Sequence, residues 1–133
     1  MSDRIHELLH RNRQEVFGEG DDGRRRAAIE ELYTEDCQVY LPPGVFVGHN
    51  ALDMFVGELR ATHPDFVYTT AKDPGLLHNA ARLPWVSGRR GEQPAYTGED
   101  LIILRKDKIA VLYVFLDSTP ADAYLERLAR LHS

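Results

Sequence analysis

Tyr96-Thr-Gly-Glu-Asp-Leu-Ile-Ile-Leu104 and Ile109-Ala-Val-Leu-Tyr-Val-Phe-Leu116 flank the dipeptide Lys106-Asp107, and their reading decides the fold. Two apolar, β-branched and aromatic runs of strand length joined by a short polar turn predict a β-hairpin. Both arms are nearly continuous in apolar residues, so at least one is covered on both faces. The second half of the chain therefore carries a sheet, and another layer lies over it.

Working back from the hairpin, Leu76 to Ser87 reads as a longer strand, with Pro84 marking an edge or a bulge. Phe66 to Thr70 is another strand, and Lys72-Asp73-Pro74-Gly75 is a turn. Ser87 to Gln93 is a polar loop. Gly48-His49-Asn50 opens a helix with Leu52, Phe55, Val56 and Leu59 on one stripe, ended by Pro64. Before it, Cys37 to Leu41 is a short strand stopped by Pro42-Pro43-Gly44. Ile5, Leu8, Leu9, Val16 and Phe17 recur at helical spacing, and a glycine-rich break follows from Gly18 to Gly23. Asp21 or Asp22 caps a second helix that carries Ala28, Ile29, Leu32 and Tyr33. Past the hairpin, Thr119-Pro120-Ala121-Asp122 starts a C-terminal helix with Leu125, Leu128 and Leu131. Helices first and strands afterwards give an α+β class in one domain, residues 1–133.

Composition narrows the function. Sixteen basic against 21 acidic residues leave a net charge of −5. That balance disfavours general nucleic-acid binding and attachment to an anionic membrane surface. One cysteine, Cys37, excludes an internal disulfide framework and suits a reducing cytosol. No apolar run reaches the roughly 18 residues of a spanning helix. A cytoplasmic protein is expected.

Several motifs fail on physical grounds. Gly18-Glu-Gly-Asp-Asp-Gly23 spells a dinucleotide fingerprint, but it follows a helix, and its carboxylates would repel a pyrophosphate. Arg24-Arg25-Arg26 reads as a solvated face. The six histidines show no metal-binding spacing, so neither a metal nor another cofactor is expected. Cys37, without a basic neighbour, reads as a buried hydrophobe, and no G-x-S-x-G element seats a serine nucleophile.

Asp100 stands out. Strand alternation places it with Tyr96, Gly98, Ile102 and Leu104, so an inward face would bury a carboxyl group. Burial alone raises such a pKa and an adjacent cation lowers it, so Asp100 is either an acid–base group or a structural aspartate satisfied by backbone or by Arg82. His78 and Arg82 share one face of the preceding strand. A bulge at Pro84 would let Trp85 join them. His78 would carry protons near neutral pH, although a surface position suits it equally.

Leu32-Tyr-Thr-Glu-Asp-Cys37, Val39-Tyr-Leu-Pro-Pro-Gly44, Gly48-His-Asn-Ala-Leu52, His78-Asn-Ala-Ala-Arg82 with Trp85, Thr97-Gly-Glu-Asp100 and Lys108 to Asp117 together cover about residues 28–117. In this order they resemble the nuclear transport factor 2-like superfamily, specifically its SnoaL-like, polyketide cyclase-like branch. The resemblance implies a cone-shaped, curved mixed sheet wrapped around N-terminal helices, an apolar pocket, and a homodimer. It also places Asp100 where ketosteroid isomerases hold a protonated aspartic acid. Their general-base position is Leu41 here. Arg13, Gln14 and Phe17 stand near the place of their oxyanion tyrosine. An epoxide-hydrolase set is also incomplete, because Ile109 to Leu116 is apolar.

What the resemblance leaves is a cofactor-independent lyase, cyclase or isomerase acting on an apolar, enolisable or polyketide-like substrate. Asp100, His78 and Arg82 are its candidate catalytic residues, and Tyr40, Phe55, Trp85 and Tyr96 its candidate substrate contacts. Two other readings stay open: a non-catalytic module binding an apolar metabolite, and a dimerisation domain with a filled cavity and Tyr113 and Phe115 at its interface.

Overall fold

The computed structural model describes residues 2–117. The helix read at Thr119 to Leu131 lies outside the described residues. Helix α1 (Ser2–Arg11) runs into a π-helical turn, Asn12–Phe17. The widened turn closes with Gly18 N–H donating to Arg13 O at 2.7 Å, five residues back. A Cβ on Gly18 would stand 2.7 Å from that same oxygen, so the closure requires glycine. Helix α2 (Asp22–Leu32) follows, capped by Asp21, whose carboxylate accepts from Arg24 N–H at 2.8 Å.

Strand β1 (Tyr33–Leu41) starts four residues earlier than the sequence reading, with Tyr33 in the sheet rather than on the helix. Pro42-Pro43 makes the turn of a hairpin to β2 (Gly44–Val47), a strand the sequence reading missed. Helix α3 (Gly48–Thr62) leads to β3 (Phe66–Thr70). The long strand read from Leu76 to Ser87 is two: β4 (Gly75–Leu77) and β5 (Ala80–Arg89), folded together at His78-Asn79. His78 sits there at φ 54°, a left-handed turn position. Strands β6 (Tyr96–Arg105) and β7 (Lys108–Leu116) form the expected hairpin around Lys106-Asp107.

The seven strands make one curved, open, mixed sheet in the order β2-β1-β7-β6-β5-β3, with β4 paired to β5. Only β1 and β7 run parallel. Register shifts between Tyr33 and Gln38 and between Ile103 and Leu104 supply bends. No bulge occurs at Pro84, since β5 and β6 pair without interruption from Ala80↔Ile103 to Ser87↔Tyr96. Pro84 falls in the gap between the β4 pairing, which ends at Arg82, and the β3 pairing, which begins at Trp85. Its carbonyl accepts Ala71 N–H there, so the missing N–H faces the gap and interrupts no ladder. The helices cover one face of the sheet. Ile5, Leu8, Leu9, Val16, Phe17, Ile29 and Leu32 pack there with Leu52, Val56, Leu83, Ile102 and Leu112. No described helix is long and apolar enough to cross a membrane.

Candidate functional site

Unbroken β5–β6 register decides which side chains meet. Leu83, Trp85 and Ser87 share the helix-covered face with Gly98 and Asp100, whereas Arg82 and Glu99 take the other. Gly98 stands opposite Trp85, and a Cβ there would lie 2.5 Å from the indole ring. The glycine thus lets the ring lie across β6, where Trp85 Nε1 donates to Asp100 Oδ1 at 3.0 Å.

Asp100 is fully enclosed, with 0% exposure. Its partner is not Arg82 but Arg13, which is 3% exposed and brought in by the π-helical turn. Arg13 Nε donates to Oδ2 and Nη2 to Oδ1, a two-pronged pair of the kind guanidinium geometry favours. Burial pushes the Arg13 guanidinium down, but the adjacent carboxylate more than offsets it and holds the group above its ordinary value. Three rings surround the cation, with centroids 4.3 Å (Phe17), 4.4 Å (Trp85) and 4.8 Å (Tyr68) from Cζ. Among the described residues Nη1 has no acceptor. Tyr33 closes the group from behind. Its hydroxyl donates to Asn12 Oδ1, and burial first, then the Asp100 charge, pushes its pKa well up.

In front of Arg13 lies a recess of about 250 Å³. Its walls are mostly apolar, with Phe17, Phe55, Phe66, Tyr68 and Trp85 among them. Asp100 is behind the wall rather than in it, and among the described residues no carboxylate lines the recess. His63 and Tyr96 line the same recess. Thr62 Oγ1 donates to Leu59 O (3.0 Å), so its bond with His63 Nδ1 (2.8 Å) uses an imidazole N–H. Neutral His63 then keeps Nε2 as an acceptor, 3.3 Å from the Tyr96 hydroxyl. A wider cleft of about 630 Å³ beside α2 and α3 is mostly polar, with Arg26 bonded to Glu30 and Asn50.

The expected site is therefore brought together in part. Phe55, Trp85 and Tyr96 line the recess. Arg82 lies exposed on the opposite face, over Gly75 and 3.6 Å from Glu99, because uninterrupted alternation along β5 separates it from Leu83 and Trp85. His78 is exposed in the β4–β5 turn. Tyr40 is also on the far face, stacked on Tyr113 at 4.5 Å, with its hydroxyl donating to Gln38. The role of Arg13 was legible in principle. Asn12 and Arg13 continue the 5, 8, 9, 16, 17 stripe, so a buried cation was implied there. His63, Arg60 and Ser87 carried no such signal, since only the sheet register brings them together. Among the described residues no three His, Cys, Asp or Glu side chains converge as a metal site.

No family model matches the chain, and no curated relative does. Solved structures do match. A SnoaL-like family protein from Agrobacterium tumefaciens, provisionally an isomerase, superimposes with a TM-score of 0.80 at 19% identity, covering 89% of this chain and 100% of that one. A provisional SnoaL-like polyketide cyclase from Jannaschia sp. CCS1 gives 0.71 at 15% identity, over 86% of each chain. A provisional ketosteroid isomerase from Kribbella flavida gives 0.68 at 15% identity, over 88% of this chain and 80% of that one. These similarities show that the chain has the nuclear transport factor 2-like fold.

Proposed function

We propose that this SnoaL-like chain is a cofactor-independent lyase, cyclase or isomerase working on an apolar, enolisable or polyketide-like compound. The observation that carries the reading is a fixed guanidinium in the wall of an otherwise apolar recess. A substrate carbonyl placed on Arg13 Nη1 gains a donor whose position costs no reorganisation as negative charge develops on oxygen. Asp100 and the three rings hold that donor still, so Asp100 serves as a positioning residue. Phe55 and Trp85 supply apolar contact area. For proton transfer, the Tyr96 oxygen takes a proton from the carbon beside the carbonyl while its own proton passes to His63 Nε2. Return of the proton to another carbon isomerises the substrate. Attack of the enolate carbon on a second carbonyl cyclises it.

Deuterium exchange into 2-tetralone, followed by NMR in deuterated buffer, tests this. The wild type accelerates loss of the α-proton signals, and Arg13→Met and Tyr96→Phe lose the acceleration. Binding of 2-tetralone without faster exchange would favour the alternative, a non-catalytic binding module, to which the sealed position of Asp100 lends support. The proposal extends to a homodimer through the far sheet face, where Tyr40, Tyr113 and the 55%-exposed Phe115 form an aromatic row. It extends also to the cytoplasm, where a single buried thiol stays reduced.

A further inference from the structure

The recess holds, beside Tyr96, hydrogen-bond donors that nothing among the described residues satisfies. Ser87 is 3% exposed, and among the described residues its Oγ has no hydrogen-bond partner. It pairs with Tyr96 on one side and Tyr68 on the other, so its side chain stands between theirs on the recess face. Arg60 also lines the recess. Its Nη1 and Nη2 hold Phe66 O and Pro64 O, both at 2.9 Å, which fixes the guanidinium and leaves Nε enclosed without an acceptor. Among the described residues no carboxylate pairs with Arg60 and none lines the recess. Asp100 lies four residues along β6 from Tyr96, roughly 13 Å of strand, with its charge already matched by Arg13.

A buried donor left unmade costs free energy, and Ser87 Oγ and Arg60 Nε are two such donors in one recess with a half-buried positive charge. An anionic acceptor on the ligand meets both donors and the charge. We propose that the ligand is an apolar carboxylic acid whose carboxylate sits against Ser87 Oγ and Arg60 Nε, with its apolar body reaching along the recess towards Arg13. The inference rests on the reading of the recess as a substrate pocket and adds the class of substrate.

The test uses 4-phenylbutanoate, its neutral amide and 3-phenylpropyl phosphate, with binding followed by fluorescence of Trp85, the only tryptophan. The carboxylate is expected to bind at least about tenfold more tightly than the amide, the effect of a charged hydrogen bond. Ser87→Ala and Arg60→Gln should each reduce that preference severalfold, with the loss falling mainly on the carboxylate because its hydrogen bonds are charge-assisted. Ser87→Ala keeps the test valid should Arg60→Gln disturb the turn it braces. An amide that binds as well as the acid, variants that leave the preference intact, or a phosphate that binds best would each overturn the carboxylate assignment while leaving the pocket reading standing. Failure of all three probes to bind would remove the pocket reading and this inference with it.

Discussion

Replacing Asp100 with asparagine removes the counter-charge of a guanidinium that has no other among the described residues. Arg13 is 3% exposed and Asp100 fully enclosed, so neither solvent nor a rearranged surface group can compensate. Breaking a buried pair from one side costs about 3–5 kcal/mol. The asparagine oxygen still accepts one hydrogen bond, and the three rings around Cζ remain, worth about 2 kcal/mol or more for a desolvated cation. The expected loss is therefore near the lower limit, about 3 kcal/mol, or roughly 10 °C in melting temperature for a chain of this length. Asp100→Ala also orphans Trp85 Nε1 and should lose about 4–5 kcal/mol. Urea unfolding followed by Trp85 fluorescence and by circular dichroism measures both, with the slope unchanged if only stability has moved. The double change Arg13→Met with Asp100→Leu should recover most of the loss, because a buried ion pair is often no better than apolar packing of its volume. An Asp100→Asn protein within about 1 kcal/mol of wild type would refute the reasoning, since it would mean that Arg13 is not held as a buried, paired cation.

Further outcomes follow from the same geometry. Gly98→Ala should cost about 3 kcal/mol and alter Trp85 emission, because the added methyl meets both the Phe115 carbonyl oxygen and the indole; an unchanged spectrum would count against the fit. Burial pushes the Cys37 thiol above its ordinary pKa, so its reaction with a disulfide reagent at pH 8 should follow the rate of unfolding. Rapid labelling of the native protein would contradict its placement. The Arg24 N–H holds the Asp21 carboxyl below the usual aspartate range. The stability that this cap contributes is thus complete above the unfolded pKa, about 3.9, and is lost as pH falls through the lower folded value. The stability gap between wild type and Asp21→Ala should be constant near neutrality and close only below about pH 4.

The hairpin and the helix-then-strand order were legible because apolar periodicity is local. Asp100 stood out for the same reason, as a charge on the inward face of an apolar strand. Its partner was misassigned: an arginine in an apolar strand calls for an acid, which pointed to Arg82, whereas the unbroken β5–β6 register leaves Arg82 on the other face and brings Trp85 to Asp100 without a bulge. The widening of the first helix at residues 12–17 depends on the backbone closure at Gly18, which periodicity does not report. Tyr40 followed its strand's alternation to the far face, against Tyr113. The His63–Tyr96 contact joins residues 33 apart across the end of α3 and the start of β6, a relation that only the assembled sheet creates.

The central claim is that Arg13 Nη1 is the recess's receptor for a developing oxyanion. A crystal structure of the protein with 2-naphthol, which carries an enol-like oxygen on an apolar body, tests it most directly. The account predicts the ring between Phe55 and Trp85 with its oxygen 2.7–3.2 Å from Arg13 Nη1. A naphthol bound with its oxygen turned away from Arg13, or bound only on the Tyr40–Tyr113 face, would contradict it.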